Sequence, residues 1–417
     1  MSILIKDAML NGKKSDLLIT GKRIKQIAEN INVEAEEIID ASDKVVLPSF
    51  TNAHTHAAMS LMRGYADDLV LQDWLENYIW PLEEKLTEED VYWGTKLACL
   101  EMIKSGTTLF NDMYWHFHGT ARAAEEMGLR AFISGVFIDQ FDGEKAKEQI
   151  RYNQNLLNKA KKYSDRITFA LGPHAIYTVS KKSLRWIAEF AKENDLLIHM
   201  HISETKDEVD QWLQNHKMRP VEYLDKIGLL CPNLLAIHAI WLNNHELELL
   251  KENNVKLIHT PISNMKLGSG IFPIQKMIDR KLIVGLGTDG CSSNNNLDML
   301  EELKFASMLH KIHFRDTTIM SAKDTYKLAT YNTKKIFNLD VGKIKEGYLA
   351  DLVLLDLNNE SMIPNHNLIS NIVYSAERDC VDTTICNGKI LMRNGKVEGE
   401  EEIKQKAREV ARDLVNR

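Results

Sequence analysis

Apolar residues in this chain fall into two textures. At both ends they form short runs broken by polar turns, while the middle alternates longer apolar runs with stretches of helical spacing. In the first 48 residues, "DLLITGKRIKQIA" holds two β-type runs around Gly21-Lys22, which predicts a hairpin. "EEIIDASDKVVLP" adds two more runs across a polar turn. "GYLADLVLLDL" and "TTICNGKILMRNGKV", near the other end, repeat the texture, with Asn387-Gly388 and Asn394-Gly395 as turn pairs. Neither end alone can bury a core. They are therefore expected to pair into one small antiparallel β-sandwich domain, residues 1–49 with 346–400. Beyond it, Ile403, Ala407, Val410 and Leu414 sit at helical spacing and predict an amphipathic C-terminal helix over 401–417 that docks rather than catalyses.

Between about 50 and 345 the apolar runs are "VVLPSFTNAH", "TTLFND", "RAFISGVFID", "ITFALGPH", "LLIHMHIS", "LLAIHAI", "VKLIHTP" and "LIVGLGTDG". The segments between them, such as "EDVYWGTKLACLEMIKSG" and "KSLRWIAEFAKEND", have helical periodicity and end in Gly or Asn-Asp. Eight runs linked by helices predict an α/β fold, a (β/α)8 TIM-type barrel over 50–345. A doubly wound open sheet is the alternative. The barrel is preferred on count, and because polar residues gather at the C-terminal ends of the runs, the active-site face of such a barrel.

Composition narrows the function classes. A formal net charge of −7 over 417 residues argues against nucleic acid or an anionic membrane as partner, since both need a concentrated basic face. Five cysteines without a CxxC pair exclude a disulfide framework or a cysteine zinc cluster and fit a reducing cytoplasm. The amino terminus has no signal-peptide pattern, and no apolar window is long enough to span a bilayer.

The informative polar residues are those that end the runs. In "FTNAHTHAAMS", His54 and His56 are two positions apart and share one face of a strand. If that face is the barrel interior, the two imidazoles converge on a divalent ion at about 2.0–2.1 Å. "LLIHMHISE" brings His199 and His201, "LLAIHAI" brings His238, and "GLGTDG" brings Asp289. His199 lies roughly 6–7 Å deeper than His201 from the rise of a strand, so His201 is read as the ligand and His199 as a packed, hydrogen-bonded neighbour of the site. His259 in "KLIHTPISN" is read as supporting. Glu204 follows His201 by three residues and in a continuous strand would point away. It serves the same site only if the strand ends at Ile202 or Ser203 and turns, and otherwise it is an exposed helix-start carboxylate. A carboxyl beside a metal is a natural proton carrier for hydrolysis.

Such a shell lowers the pKa of a water from about 15.7 to about 7. Asp289 can accept the water's proton. His238, where it is not itself a ligand, can stabilise the developing oxyanion. Glu204 would protonate a ring nitrogen of the substrate, and collapse of the adduct would expel ammonia. The shell alone does not separate this from cleavage of a cyclic amide or loss of chloride from an aromatic ring. The fourth run, "ITFALGPHAIY", has no lysine or acid to bridge two ions, so one divalent ion per subunit is expected, zinc ahead of iron or manganese.

These residues resemble the amidohydrolase superfamily, specifically the mononuclear-zinc deaminases of 5′-methylthioadenosine and S-adenosylhomocysteine. The resemblance runs nearly end to end, through "LPSFTNAHTHAAMSLMRGYADDLVLQDWL", "PLEEKLTEEDVYWGT", "GPHAIYTVS", "HISETKDE", "ISNMKLGSGIFPI" and "GTDGCSSNNNLDMLEELKFAS". It implies His54, His56, His201 and Asp289 as metal ligands, Glu204 as general acid/base, and His238 as the residue orienting the hydroxide. It further implies that Glu83 in "WPLEEK" holds the ribose hydroxyls and that His174 in "GPH" contacts the purine. Trp74 is either a pocket wall or a core residue. The expected partner is a small nucleoside, with no nucleic acid or membrane, in a chain compatible with a homo-oligomer. One departure stands out. Where members that accept S-adenosylhomocysteine often carry arginines, this chain reads "FISGVFIDQFDGEKAKEQ", with only Lys145 and Lys147 as substitutes. A point charge lacks the bidentate geometry of arginine. The resemblance therefore implies better activity on 5′-methylthioadenosine, 5′-deoxyadenosine or adenosine. Two other readings are an aminohydrolase or chlorohydrolase of another N-heterocycle (guanine, a pterin, an s-triazine) and a catalytically inactive scaffold barrel.

Overall fold

The computed structural model describes residues 2–417. Five strands open the chain: β1 (Ser2–Leu10), β2 (Lys13–Thr20), β3 (Arg23–Ala28), β4 (Glu37–Asp40) and β5 (Lys44–Pro48). Eight follow between helices: β6 (Phe50–Thr55), β7 (Thr107–Tyr114), β8 (Arg130–Phe137), β9 (Ile167–Pro173), β10 (Ile198–Ile202), β11 (Leu234–His238), β12 (Lys256–His259) and β13 (Val284–Leu286). Three more close the sequence, β14 (Leu352–Asp356), β15 (Val381–Cys386) and β16 (Lys389–Met392), before the last helix, Glu400–Asn416.

β6 to β13 form one parallel sheet in sequence order, the near-closed barrel expected from the apolar runs. Residues of alternate parity, among them Ala53, Leu109, Phe132, Leu235, Ile237 and Ile258, fill its interior. Their neighbours, such as Phe110, Ile198, Met200 and Leu257, face the surrounding helices in the largest core cluster. Where β13 meets β6 the barrel closes through side chains as well as backbone. Asn52 accepts from the Thr288 N–H at 3.0 Å and donates to Thr288 Oγ1 at 2.7 Å, and the Asp289 N–H donates to the His54 carbonyl at 3.0 Å. Gly287 permits this approach, because a Cβ there would lie 2.7 Å from the His54 nitrogen.

The two chain ends share the second sheet, in the order β16-β15-β14-β5-β1-β2-β3 with β4 on β1. The predicted hairpins are present, and Asn387, Gly388, Asn394 and Gly395 all adopt positive φ, as two-residue hairpin turns of this hand require. The expectation of purely antiparallel pairing does not hold: β1 runs parallel to β4 and β5, which makes the sheet mixed. The reason is connectivity: the longer loop after β3 returns the chain parallel to β1 as β4, and β5 continues in the same direction along β1 after residues 41–43. A single residue, Ser49, separates this sheet from the barrel. The helix Glu400–Asn416 docks as expected. Arg417 donates to Asp90 at 2.6 and 2.8 Å, and Leu414 is buried with Trp74, Ile79 and Leu82. All five cysteines are free thiols, and among the described residues no helix is long and apolar enough to cross a membrane.

Candidate active site

The C-terminal ends of the barrel strands bring the predicted residues together. β6 carries an irregularity between Asn52 and Thr55: Asn52 pairs with Phe110 and Thr55 with Asp112, three residues against two. This bulge lets Ala53 and His54 both serve the interior and leaves His56 on the same side as His54. β10 brings His199 and His201. β11 ends in His238, whose register opposite Ile202 would face it outward; a left-handed φ of 64° turns it back toward the site. Asp289 likewise has φ 65°.

Asp289 Oδ1 lies 3.2 Å from both His54 Nε2 and His56 Nε2. The His201 ring centre is 5.0 Å from that of His54 and 5.3 Å from that of His238. Two overlapping groups, His54-His56-Asp289 and His54-His201-His238, each hold their ligand atoms within 4.8 Å of one another. Donors bound to one ion at about 2.0–2.1 Å would stand about 2.9–3.4 Å apart, and the 3.2 Å separations of Asp289 from His54 and His56 lie in that range. The ring nitrogens are also oriented for it. The outer nitrogens are occupied: His54 Nδ1 by His199 Nε2 at 2.7 Å, His56 Nδ1 by the Met113 carbonyl at 2.5 Å, and His201 Nδ1 by the His174 carbonyl at 3.0 Å. Each Nε2 is left facing the centre. Burial holds His54 down to about 4, and for His56 the Asp289 carboxylate outweighs burial and raises it to about 9. Asp289 stays well below the usual carboxylate range: burial opposes ionisation, but hydrogen bonds from the two histidines prevail.

His199 takes the neighbour position expected of it, bridging His54 and Ser134. His259 faces outward instead, stacked on Phe272 with its Nε2 3.1 Å from that of His310. Its carbonyl supports the Asp289 loop by accepting from the Gly287 N–H at 3.0 Å.

Glu204 does reach the site. β10 ends at Ile202, Ser203 adopts φ 51°, and the Glu204 carboxylate turns into the pocket, 3.7 Å from His238 Nε2 and accepting from Ser269 Oγ at 3.0 Å. His238 is fixed from behind by Thr260 Oγ1 and Asn264 Oδ1, each 3.0 Å from its Nδ1. Ser263 Oγ donates to Asp289 Oδ2 at 2.6 Å.

The same pocket is lined by Glu83, which accepts from Trp115 Nε1 at 3.1 Å. Burial raises its carboxyl against that bond and one from Tyr114. The segment bearing it, Leu71–Glu83, is interrupted by a π-helical turn, Leu75–Ile79, of the kind that recurs at functional sites. His174 also lines the pocket, its ring centre 5.0 Å from that of His201, and is kept neutral by burial at about 3. Trp74 both lines the pocket and packs in the core, 5% exposed. None of the described residues lining the pocket is an arginine or lysine. Lys145 and Lys147 are engaged elsewhere, with Gln140 at 2.9 Å and Glu144 at 2.7 Å. Sequence reasoning missed Tyr114, Trp115, Ser263 and Ser269, whose partners are remote in the chain. It also missed Glu208, although the Thr205-Lys-Asp-Glu208 capping pattern was legible.

Residues 45–391 match the model of the "Amidohydrolase family". A 5-methylthioadenosine/S-adenosylhomocysteine deaminase of Thermococcus sibiricus is 46% identical over 399 residues, 94% of each chain. A 5'-deoxyadenosine deaminase of Methanobrevibacter smithii is 45% identical over 99% of this chain and 98% of its own. Among solved structures, an adenosine deaminase from Xanthomonas campestris with bound zinc superposes with a TM-score of 0.94 at 29% identity, covering 100% of this chain and 98% of its own.

Proposed function

The chain belongs to the amidohydrolase family, and we propose that it hydrolytically deaminates adenosine-type nucleosides to the inosine analogue and ammonia. The observation that carries this reading is the pocket's mixed lining: an imidazole–carboxylate cluster with Glu204, and a second, half-buried carboxylate, Glu83, in the same cavity. Glu83 favours a ribosyl group over a bare heterocycle, because a vicinal diol offers two donors to one carboxylate.

In this reading His54, His56, His201 and Asp289 hold one divalent ion, zinc by preference. Such an ion supplies a water acidic enough to react at neutral pH. Glu204, anchored by Ser269, gives a proton to the purine ring nitrogen beside the amine-bearing carbon, so that the carbon accepts the water oxygen. His238, with Nδ1 occupied, presents Nε2 to that water and orients it. Asp289 takes one proton of the water on its carboxylate and passes it to the departing amine; the carbon–nitrogen bond breaks with release of ammonia, and the remaining hydroxyl proton returns to Glu204 as the carbonyl forms. His174 contacts the purine and Glu83 the ribose hydroxyls. With no arginine or lysine among the described residues lining the pocket, an uncharged 5′ group is preferred over one bearing a carboxylate.

The test is a panel of 5′-methylthioadenosine, 5′-deoxyadenosine, adenosine and S-adenosylhomocysteine with metal-replete protein, read by ammonia release. Deamination is expected, abolished by a chelator, restored by zinc, and slowed at least about 100-fold in kcat by Glu204→Gln. No turnover of any member would sink the reading, and a clear kcat/KM preference for S-adenosylhomocysteine would sink its 5′-specificity.

A further inference from the structure

How does Glu204, three residues beyond His201, keep its carboxylate in the pocket? Its backbone is gripped by the next helix. Glu208 Oε1 accepts from the Ser203 N–H at 3.1 Å and Glu208 Oε2 from the Glu204 N–H at 2.8 Å. On the other side, the Ser203 carbonyl accepts from the Ile240 and Trp241 N–H groups at 3.1 and 3.0 Å. Between these holds Ser203 adopts φ 51°, a conformation that a serine occupies only when its surroundings impose it. We propose that Glu208 is a positioning residue for the deamination: its bidentate grip on two successive amides sets the left-handed turn that aims Glu204 at the substrate.

Glu208 also starts the helix Lys206–His216, where its own N–H donates to Thr205 Oγ1 at 3.1 Å. A glutamate at this position ordinarily does no more than cap. Here the carboxylate reaches two residues further back and lies half-buried close to a second carboxylate, Glu204; loss of solvent and then the Glu204 charge raise it to about 7. Placing two carboxylates together is unfavourable unless the geometry compensates. Two strong hydrogen bonds to backbone amides supply that compensation.

The inference rests on the proposed deamination, and its test has one readout that needs no substrate. In Glu208→Gln one oxygen still accepts, but the amide nitrogen opposes the second N–H. Glu208→Ala removes both bonds. In both variants, amide hydrogen exchange over 202–206 is expected to quicken by about 10-fold or more, with the rest of β10 unchanged. On the preferred substrate kcat should fall about 100-fold, the cost of misplacing a reacting group by about 1 Å, with KM within about threefold and bound metal still stoichiometric. In a Glu204→Gln background, adding Glu208→Gln should cost less than about threefold, because a group acting through another is not counted twice. A merely structural role would lower stability and metal content, or multiply with Glu204→Gln, and either result overturns the proposal. Unchanged exchange at Ser203 and Glu204 overturns it as well, including in a protein that deaminates nothing on the panel. That last outcome would reject the proposed reaction separately, and exchange alone would then decide whether the grip exists.

Discussion

Asp298 accepts from the Leu300 N–H at 2.9 Å and so caps the helix Met299–Phe314, but it does so from a half-buried position where loss of solvent raises its carboxyl to about 6 from 3.8. A carboxyl raised on folding holds its proton in the native state while the unfolded chain has already released its own. Its contribution therefore falls as pH rises from about 4 to about 6, and the penalty persists above that. Asp298→Asn keeps the cap acceptor and removes the charge. Its denaturation midpoint should exceed the parent's at pH 8 and approach it below pH 4; an equal gain at both would place the effect elsewhere. At this scale much of the site was legible. His54 with His56, and His201 with His199, follow from the two-residue period of a strand. Glu204 and His238 were identifiable as residue types at strand ends, but the left-handed turns that aim them arise from contacts with Glu208 and with the neighbouring strand.

Among elements, the interrupted segment Leu71–Glu83 and the C-terminal helix depend on each other. Leu414, fully buried, belongs to the same apolar cluster as Trp74, Ile79 and Leu82 of the segment that carries Glu83. Leu414→Ala should cost about 2–5 kcal/mol where the cavity cannot collapse. The loosened segment should also raise KM for nucleosides several-fold while kcat at saturation changes little. Steady-state kinetics beside a urea titration would check both, and an unaltered KM would show that the helix merely caps the barrel. The terminal helix and its docking were predicted from its four apolar positions, yet the surface it docks on was not, because partners such as Asp90 and Lys104 lie far earlier in the chain.

Across the whole molecule, the barrel and the two-ended sheet are joined by a buried ion pair. Arg130, at the start of β8, donates to Asp351 at 3.1 and 3.3 Å and to Asn387 Oδ1 at 3.1 Å, with side chains only 4% and 1% exposed for the ionic partners. Arg130→Ala would strand a buried carboxylate and should destabilise the fold by about 3–5 kcal/mol. Replacing both partners, as Arg130→Met with Asp351→Leu, should cost less than Arg130→Ala alone, and a double variant as unstable as the single would refute this account. The pocket lies at the opposite end of the strands, so the metal content of each folded variant should match the parent's.

Period and punctuation in the sequence determined the strands, the helices between them, the two-residue hairpin turns and the face on which the histidines lie, because each depends on neighbours a few residues apart. Only the tertiary structure decided that β1 runs parallel to β4 and β5, that His259 faces outward to His310, and that Tyr114 and Trp115 hold Glu83. Those outcomes depend on contacts between distant parts of the chain, whose free energy appears only when the barrel closes and water leaves.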